Sequence, residues 1–284
     1  MKDTVFQRHE REFDKNLYTY PVISRRSAGL SIGINLSLRK ECNFDCVYCQ
    51  VDRTTYLSNS KDIQLFILEE ELRALIEKTL DETIFSHPRF RDTPEKFRVL
   101  KDISLSGDGE PTSSKFFVEV TDLVLKIIKE YKTKGIFIKP IVITNASLLH
   151  RKTVKEQLLK FTQEGGGPWI KLDAGTKQEF LKIADSSISF STILENILSF
   201  SKLTPIYLQT ILYSDSGKLS FSTESMISCL QNLQEKGAQI KTMQLYTLAR
   251  RTKEKNLKAV EKDVLNEVAN QIQSQTGIEL EIYP

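Results

Sequence analysis

Three cysteines fall within eight residues of one another, Cys42, Cys46 and Cys49, in the segment ECNFDCVYCQVD. Their Cx3Cx2C spacing lets one short loop wrap three thiolates around a face of a cubane, and thiolates are soft ligands that suit iron-sulfur clusters or zinc. Three protein ligands leave one iron of a four-iron cluster open, which reaction chemistry requires and a purely structural metal site avoids. The alternative is a structural zinc site completed by Cys229 or by one of His9, His87 and His150, although the spacing is not that of paired knuckles. Cys229 lies far away in a helical stretch, so the four cysteines do not read as a disulfide framework. Tyr48, between the last two cysteines of the loop, is either a core aromatic or a cover for a planar base bound beside an open iron.

A second loop, SGDGEPT, carries Gly107, Asp108, Gly109 and Glu110 just after a strand-like run. Its glycines permit a positive φ or a close approach of backbone to a ligand. The plain alternative is a strand-to-helix turn in which Glu110 and Thr112 cap the next helix. Other strand ends also carry polar residues: Thr144 and Asn145, Lys171 and Asp173, Gln209, and Tyr246 with Arg250. In a barrel of parallel units the C-terminal rim is where ligands are held. Lys171 could neutralise a carboxylate or form a Schiff base with a carbonyl compound, and Asp173, followed by Ala-Gly, reads as a ligand-contacting turn or a cap. General acid or base work would fall to Glu110, Asp173 or Lys171. Arg250 and Arg251 are either phosphate anchors or a solvated face.

The elements that must position these residues alternate. Residues 30–38 read as a strand running into the cysteine segment, and 63–80 as an amphipathic helix. Pro88 and Pro94 break the next stretch into an excursion. Strands are then expected at 102–105, 139–144, 169–172, 206–212 and 239–245, with helices at 114–131, 148–161, 177–183, 192–200, 223–236 and around 257–274. The final IELEIYP is an edge strand or a tail. Six strand-then-helix steps imply right-handed parallel crossovers. The expected fold class is therefore α/β, a partial (β/α)6 barrel with parallel strands, rather than a closed eight-unit barrel.

The chain of 284 residues has 40% hydrophobic and 27% charged residues, enough for a substantial core beneath an ordinary ionic surface. No apolar run reaches the roughly 18 residues of a membrane span, and the first segment is charged, so no membrane role and a cytoplasmic location are expected. The net charge of +3 neither demands nor excludes nucleic acid; local clusters such as Arg25 with Arg26, and Arg250, Arg251, Lys253, Lys255 and Lys258, matter more.

CNFDCVYC, preceded by a strand and followed by αβ repeats, resembles the radical S-adenosylmethionine superfamily, whose signature is CxxxCxφC with an aromatic at the position of Tyr48. SGDGEPT is similar to that superfamily's GGE motif, whose backbone hydrogen-bonds the cofactor's amino group. Longer phrases, including ISLSGDGEPT, VITNAS, WIKLDAGTKQEFLKI and MQLYTLARRT, resemble the wyosine-forming tRNA enzymes related to 4-demethylwyosine synthase. The resemblance implies a 4Fe-4S cluster on Cys42, Cys46 and Cys49, with S-adenosylmethionine held near Tyr48, Gly107, Asp108, Gly109, Glu110, Thr144, Asn145 and Gln209. Lys171 and Asp173 are then the candidate catalytic pair. It further implies an electron donor such as flavodoxin or ferredoxin, and tRNA on basic rim residues. It implies one radical S-adenosylmethionine domain over 1–284, with a leader at 1–28, a core barrel at 29–250 and a helical extension at 251–284. The chain departs from the wyosine-forming pattern in having no cysteine before Cys42 for a second cluster. Two rival readings stand beside a radical enzyme acting on tRNA, a modified nucleotide or another substrate. One is an activase that places a radical on a partner protein; the other is a cluster-carrying scaffold without catalysis.

Overall fold

The computed structural model describes Val5 and residues 13–58, 60, 62–250, 252, 254 and 256–284. Its contacts divide the chain into two compact units, residues 1–42, 53–143 and 156–167 in the first and 43–52, 144–155 and 168–284 in the second. His9, Arg251, Lys253 and Lys255 lie outside the described residues.

The strands of the first unit run in the order β1 (Thr19–Ser24), β2 (Gly29–Ile34), β3 (Leu100–Leu105), β4 (Lys139–Thr144). β2, β3 and β4 are parallel, with Ile34 opposite Leu105 and Leu105 opposite Val142. β2 is buried along its whole length, as expected of a strand covered on both faces. β1 is an antiparallel addition inside the expected leader. Pro21 interrupts its pattern and is tolerated because proline can sit on an edge strand. The carboxylate of Glu71 anchors the approach to β1, accepting from the backbone N–H groups of Leu17, Tyr18 and Thr19 at 2.6, 2.9 and 3.0 Å. Tyr20 lies flat over its cross-strand partner Gly33, where a Cβ would stand 2.2 Å from the ring.

Glu71 belongs to α1 (Leu65–Leu80), whose Leu68, Leu72, Leu75 and Ile76 recur at helical spacing and are buried. α2 (Phe117–Thr133) does the same with Val120, Val124, Ile127 and Ile128. Burying each such side chain contributes about 1.5–3 kcal/mol. The proline-broken excursion holds only short 3-10 turns at Thr83–Ser86 and Glu95–Phe97. α3 (Lys152–Gln163) follows β4.

The main strands of the second unit run in the order β5 (Gly167–Lys171), β6 (Ile206–Ile211), β9 (Ile240–Tyr246), β11 (Glu279–Tyr283), all parallel. The IELEIYP segment is thus a strand. Its helices are α4 (Lys177–Ala184), α5 (Phe190–Ser201), α6 (Thr223–Glu235) and α7 (Lys262–Thr276). Thr176 and Glu179 form a capping box at the start of α4. A small antiparallel sheet joins β7 (Tyr213–Asp215), β8 (Lys218–Leu219) and β10 (Leu257–Ala259). The sequence pattern places residues 257–259 at the opening of the last helix. They pair with β7 instead, and the helix starts only at Lys262, after Val260 N–H has donated to Thr247 Oγ1 at 2.8 Å.

Candidate functional site

In the first unit, β2 and β3 both end in loops, and one side chain ties those loops together. Asn35 Oδ1 accepts from Ser37 N–H at 2.9 Å and Asp108 N–H at 3.1 Å, while its Nδ2 donates to Asp108 Oδ2 at 2.8 Å. Gly107 sits where a Cβ would be 2.2 Å from Asn35 Oδ1. At Gly109 a Cβ would be 2.0 Å from the carbonyl oxygen of Glu41, the residue preceding Cys42. Close approach, not a positive φ, is therefore what these two glycines permit. Glu110 is buried, and its carboxylate accepts from Thr112 Oγ1 at 2.6 Å and Thr112 N–H at 3.1 Å, capping the turn Pro111–Ser113. The limbs of the cysteine loop are joined by Leu57 N–H to Leu38 carbonyl at 2.9 Å and by the Arg53 guanidinium donating to the Lys40 carbonyl.

In the second unit, α4 presents its last carbonyls to the same loop. Asp45 N–H donates to Ala184 at 3.1 Å and Val47 N–H to Ile183 at 3.0 Å, while Phe44 packs edge-on against Phe180. Cys49 N–H turns back onto the Cys46 carbonyl at 2.8 Å. Asn145 Nδ2 donates to Asn43 Oδ1 at 2.8 Å, and Asn43 Nδ2 to Ser147 Oγ at 2.7 Å, so residues 145–147 of the second unit hold Asn43, the residue after Cys42. Thr144 Oγ1 accepts from Ala146 N–H at 3.2 Å.

Tyr48 leads to the candidate pair. Its hydroxyl donates to Asp173 Oδ2 at 2.6 Å; Asp173 Oδ1 accepts from Ile211 N–H at 2.9 Å and faces Lys171 Nζ at 2.9 Å. Lys171 also donates to the Tyr246 hydroxyl and lies over the rings of Tyr48 and Tyr246, at 5.2 and 4.7 Å from their centroids. Burial pulls the Lys171 ammonium down, but Asp173 and Tyr246 outweigh it and the net shift is upward, so the amine stays charged. Burial, reinforced by Asp173, pushes the Cys46 thiol up to about 12 and the Tyr48 phenol well above its ordinary value.

Cross-strand register extends this polar layer, with Lys171 opposite Gln209, Gln209 opposite Gln244, and Gln244 opposite Glu281. Gln209 Nε2 donates to Gln244 Oε1 at 2.8 Å, and Gln244 Nε2 to Glu281 Oε2 at 3.0 Å. Gln209 Oε1 is buried and accepts nothing among the described residues, which marks it as an acceptor open to a ligand's donor.

No family model matches the chain. A UPF0026 protein of Methanocaldococcus jannaschii is 28% identical over 227 residues, covering 76% of this chain and 59% of that protein. A UPF0026 protein of Helicobacter pylori is 29% identical over 185 residues, 64% of this chain and 51% of its own length. A GTPase Obg of Brachyspira hyodysenteriae is 26% identical over 271 residues, 92% of this chain but 34% of that protein. The chain thus spans only part of the length of each of these relatives. Among solved structures, that of TYW1 with a lysine-pyruvate adduct bound aligns with a TM-score of 0.56 at 14% identity, covering 93% of this chain and 86% of that one. At that identity the likeness is one of fold, and it bears out the α/β partial barrel with parallel strands.

The donor set suits the 4Fe-4S cluster that the sequence resemblance implies. Cys42, Cys46 and Cys49 are free thiols, each half-buried, and Cys229 is buried within α6. Among the described residues no three His, Cys, Asp or Glu side chains close on a single metal ion. A cubane offers its irons at separate corners and does not ask three thiols to meet at one point. Burial and Asp173 favour the protonated Cys46 thiol, so a cluster bound there would displace that proton. His87 is occupied elsewhere, packed against Phe13 and Phe90. Among the described residues no helix is long and apolar enough to cross a membrane.

Asn35 and Asn43 are absent from the residues that the sequence pattern selects. The strand-end rule that selects Thr144 and Asn145 finds Asn35 when applied to β2, and Asn43 stands inside the cysteine motif itself. Gln244 and Glu281 have no such signal, because only the register of β6, β9 and β11 aligns them with Gln209.

Proposed function

We propose that the chain is a radical S-adenosylmethionine enzyme whose Cys42, Cys46 and Cys49 hold a 4Fe-4S cluster with one open iron. The observation that carries this reading is the contact of Gly109 with the Glu41 carbonyl, which seats the SGDGEPT loop on the residue preceding Cys42. When bound, the cluster and S-adenosylmethionine supply one-electron cleavage of a carbon–sulfur bond of the sulfonium, giving methionine and a 5′-deoxyadenosyl radical that abstracts hydrogen from a substrate.

The chain's own residues supply position and charge. The backbone of Gly107 to Glu110, held rigid by Asn35, is the platform for the cofactor's amino group. Gln209 Oε1 is an acceptor for a hydroxyl or amino group, and Asn145, next to Thr144, borders the cysteine loop through Asn43. Asp173 fixes Tyr48 through its hydroxyl and Lys171 through its charge. The ion pair favours Lys171 as a fixed cation for a substrate carboxylate over a Schiff-base nucleophile, which needs the neutral amine. The electron comes from a flavodoxin or ferredoxin, and the substrate class is tRNA or a modified nucleotide bound through basic residues such as Arg250.

The test is anaerobic reconstitution with iron and sulfide, reduction, addition of S-adenosylmethionine and measurement of 5′-deoxyadenosine with and without bulk tRNA, with Cys46→Ala as control. Product that rises with tRNA supports both parts of the reading. Product indifferent to tRNA keeps the chemistry and moves the substrate to a protein, as for an activase, or to a small molecule. A fully loaded chain that never forms product is a cluster-carrying scaffold.

A further inference from the structure

At the opposite end of β3 from the SGDGEPT loop, about 17 Å along a six-residue strand, the first unit holds a cavity of about 410 Å³. It is lined by Ser27 of the β1–β2 turn, Lys101 of β3, Lys132 at the end of α2, Phe137 and Lys139 at the approach to β4, and Glu164 beyond α3. None of these residues belongs to the site described above. The volume lies within the range of small-molecule pockets.

The charges here are unequal. Glu164 is committed to Lys132 at 2.9 Å and reaches Lys129 at 4.0 Å. Lys101 and Lys139 line the same cavity and form no hydrogen bond or salt bridge among the described residues, so neither ammonium is in direct contact with a carboxylate. The other acid nearby is Asp102, buried beside Ser27 and already offset by Arg26 and Lys139. Phe137 is 73% exposed, an aromatic face left to solvent at the cavity's edge. Paired cations beside an exposed ring match a phosphate joined to a planar base, since lysines bind phosphate as point charges and aromatic faces stack bases. Glu164 can accept from a ribose hydroxyl while keeping its lysines.

We infer that this cavity binds a nucleoside monophosphate, with its phosphate on Lys101 and Lys139 and its base against Phe137. The inference does not rest on the radical chemistry and stands or falls independently of it. A free nucleotide and the 5′ end of an RNA share this chemistry.

Isothermal titration of the whole chain at low salt tests it with GMP, guanosine, inorganic phosphate and a 5′-phosphorylated trinucleotide; guanine keeps the readout apart from an adenosyl cofactor. GMP should bind with one-to-one stoichiometry, and guanosine at least about ten-fold more weakly, the effect of losing a charge-assisted contact. The K101E/K139E variant, changed at two exposed positions, should lose at least about ten-fold in GMP affinity, whereas K101R/K139R, which keeps both charges, stays within about three-fold of wild type. F137A should weaken GMP but not inorganic phosphate. Binding of GMP alone assigns a free nucleotide; binding of the trinucleotide as well assigns an RNA end. Absence of saturable GMP binding to the wild type, or equal affinity in K101E/K139E, overturns the inference. F137A weakening GMP and phosphate alike overturns the base contact.

Discussion

Asp173→Asn isolates the charge at the centre of the second unit. The side chains of Lys171 and Asp173 are only 13% and 11% exposed, and their charged atoms lie 2.9 Å apart. Asparagine keeps an oxygen for Ile211 N–H and places an amide Nδ2 beside the Tyr48 hydroxyl, whose oxygen can accept from it in place of donating, so the main loss falls on the ion pair. Without Asp173 the burial that already opposes the Lys171 ammonium is no longer outweighed, and a buried charge stands uncompensated. Removing one partner of such a pair costs about 3–5 kcal/mol, and Tyr246 as a remaining acceptor puts the expectation at the lower end, ~3 kcal/mol. For a chain of this size that is roughly a 5 °C fall in Tm. The measurement is urea unfolding of the cluster-free chain at pH 7 for D173N, K171M and the double variant. The double should be more stable than the sum of the singles predicts by about 2 kcal/mol, because removing both partners leaves no orphan charge. Strict additivity, or a D173N cost below about 0.5 kcal/mol, would refute the argument that this pair is electrostatically isolated from water.

Asp102 titrates at about 6 because burial raises it against the hydrogen bonds of Ser27 and Ser31 and the charges of Arg26 and Lys139. A carboxyl raised in the folded state costs stability as pH climbs from its unfolded value through 6, so D102N should gain on wild type by about 2–3 kcal/mol between pH 4 and pH 8 in urea midpoints; a pH-independent difference refutes it. Glu179 is shifted the other way: burial raises it, but donors from Ser222, Ser225, Gly175 and Thr176 win. Its contribution is complete above the ordinary carboxylate range and is lost as pH falls through its lowered value, so E179Q should show a flatter acid limb in circular-dichroism titration. Glu71→Ala removes the acceptor of three backbone N–H groups, and hydrogen exchange at Leu17, Tyr18 and Thr19 should accelerate, with a stability loss of about 1–3 kcal/mol. Gly109→Ala drives a Cβ into the Glu41 carbonyl, and iron and sulfide bound after reconstitution should fall although all three cysteines remain.

The cysteine motif, the glycine loop and the polar strand ends are legible in the sequence because each is local. A few adjacent residues state their own chemistry, and Lys139–Thr144 emerges with the bounds its pattern predicts. Local pattern fails where a segment's partner lies far along the chain. Pro21 hides β1, whose pairing with β2 and anchoring by Glu71 come from outside its own residues. Residues 257–259 read as the start of a helix until β7 supplies a strand for them to pair with. Residues 30–38 look like one strand, yet β2 stops at Ile34 because the Asn35 side chain takes the next backbone donors for itself.

By itself the sequence determined the α/β class, since periodicity is written residue by residue, and marked Cys42, Cys46 and Cys49 as candidate ligands, since three thiols at Cx3Cx2C need no fold to be noticed. Only the tertiary structure decided which polar residues act on one another. Tyr48, the Lys171–Asp173 pair at the end of β5, and Tyr246 come from three segments far apart in sequence and meet through the packing of β5, β6 and β9. Gln209, Gln244 and Glu281 line up because parallel strands are hydrogen-bonded in one register, where a slip of a single residue would turn each side chain to the other face. Lys101, Phe137 and Lys139 surround one cavity for the same reason: strands far apart in sequence begin at a common edge of a sheet.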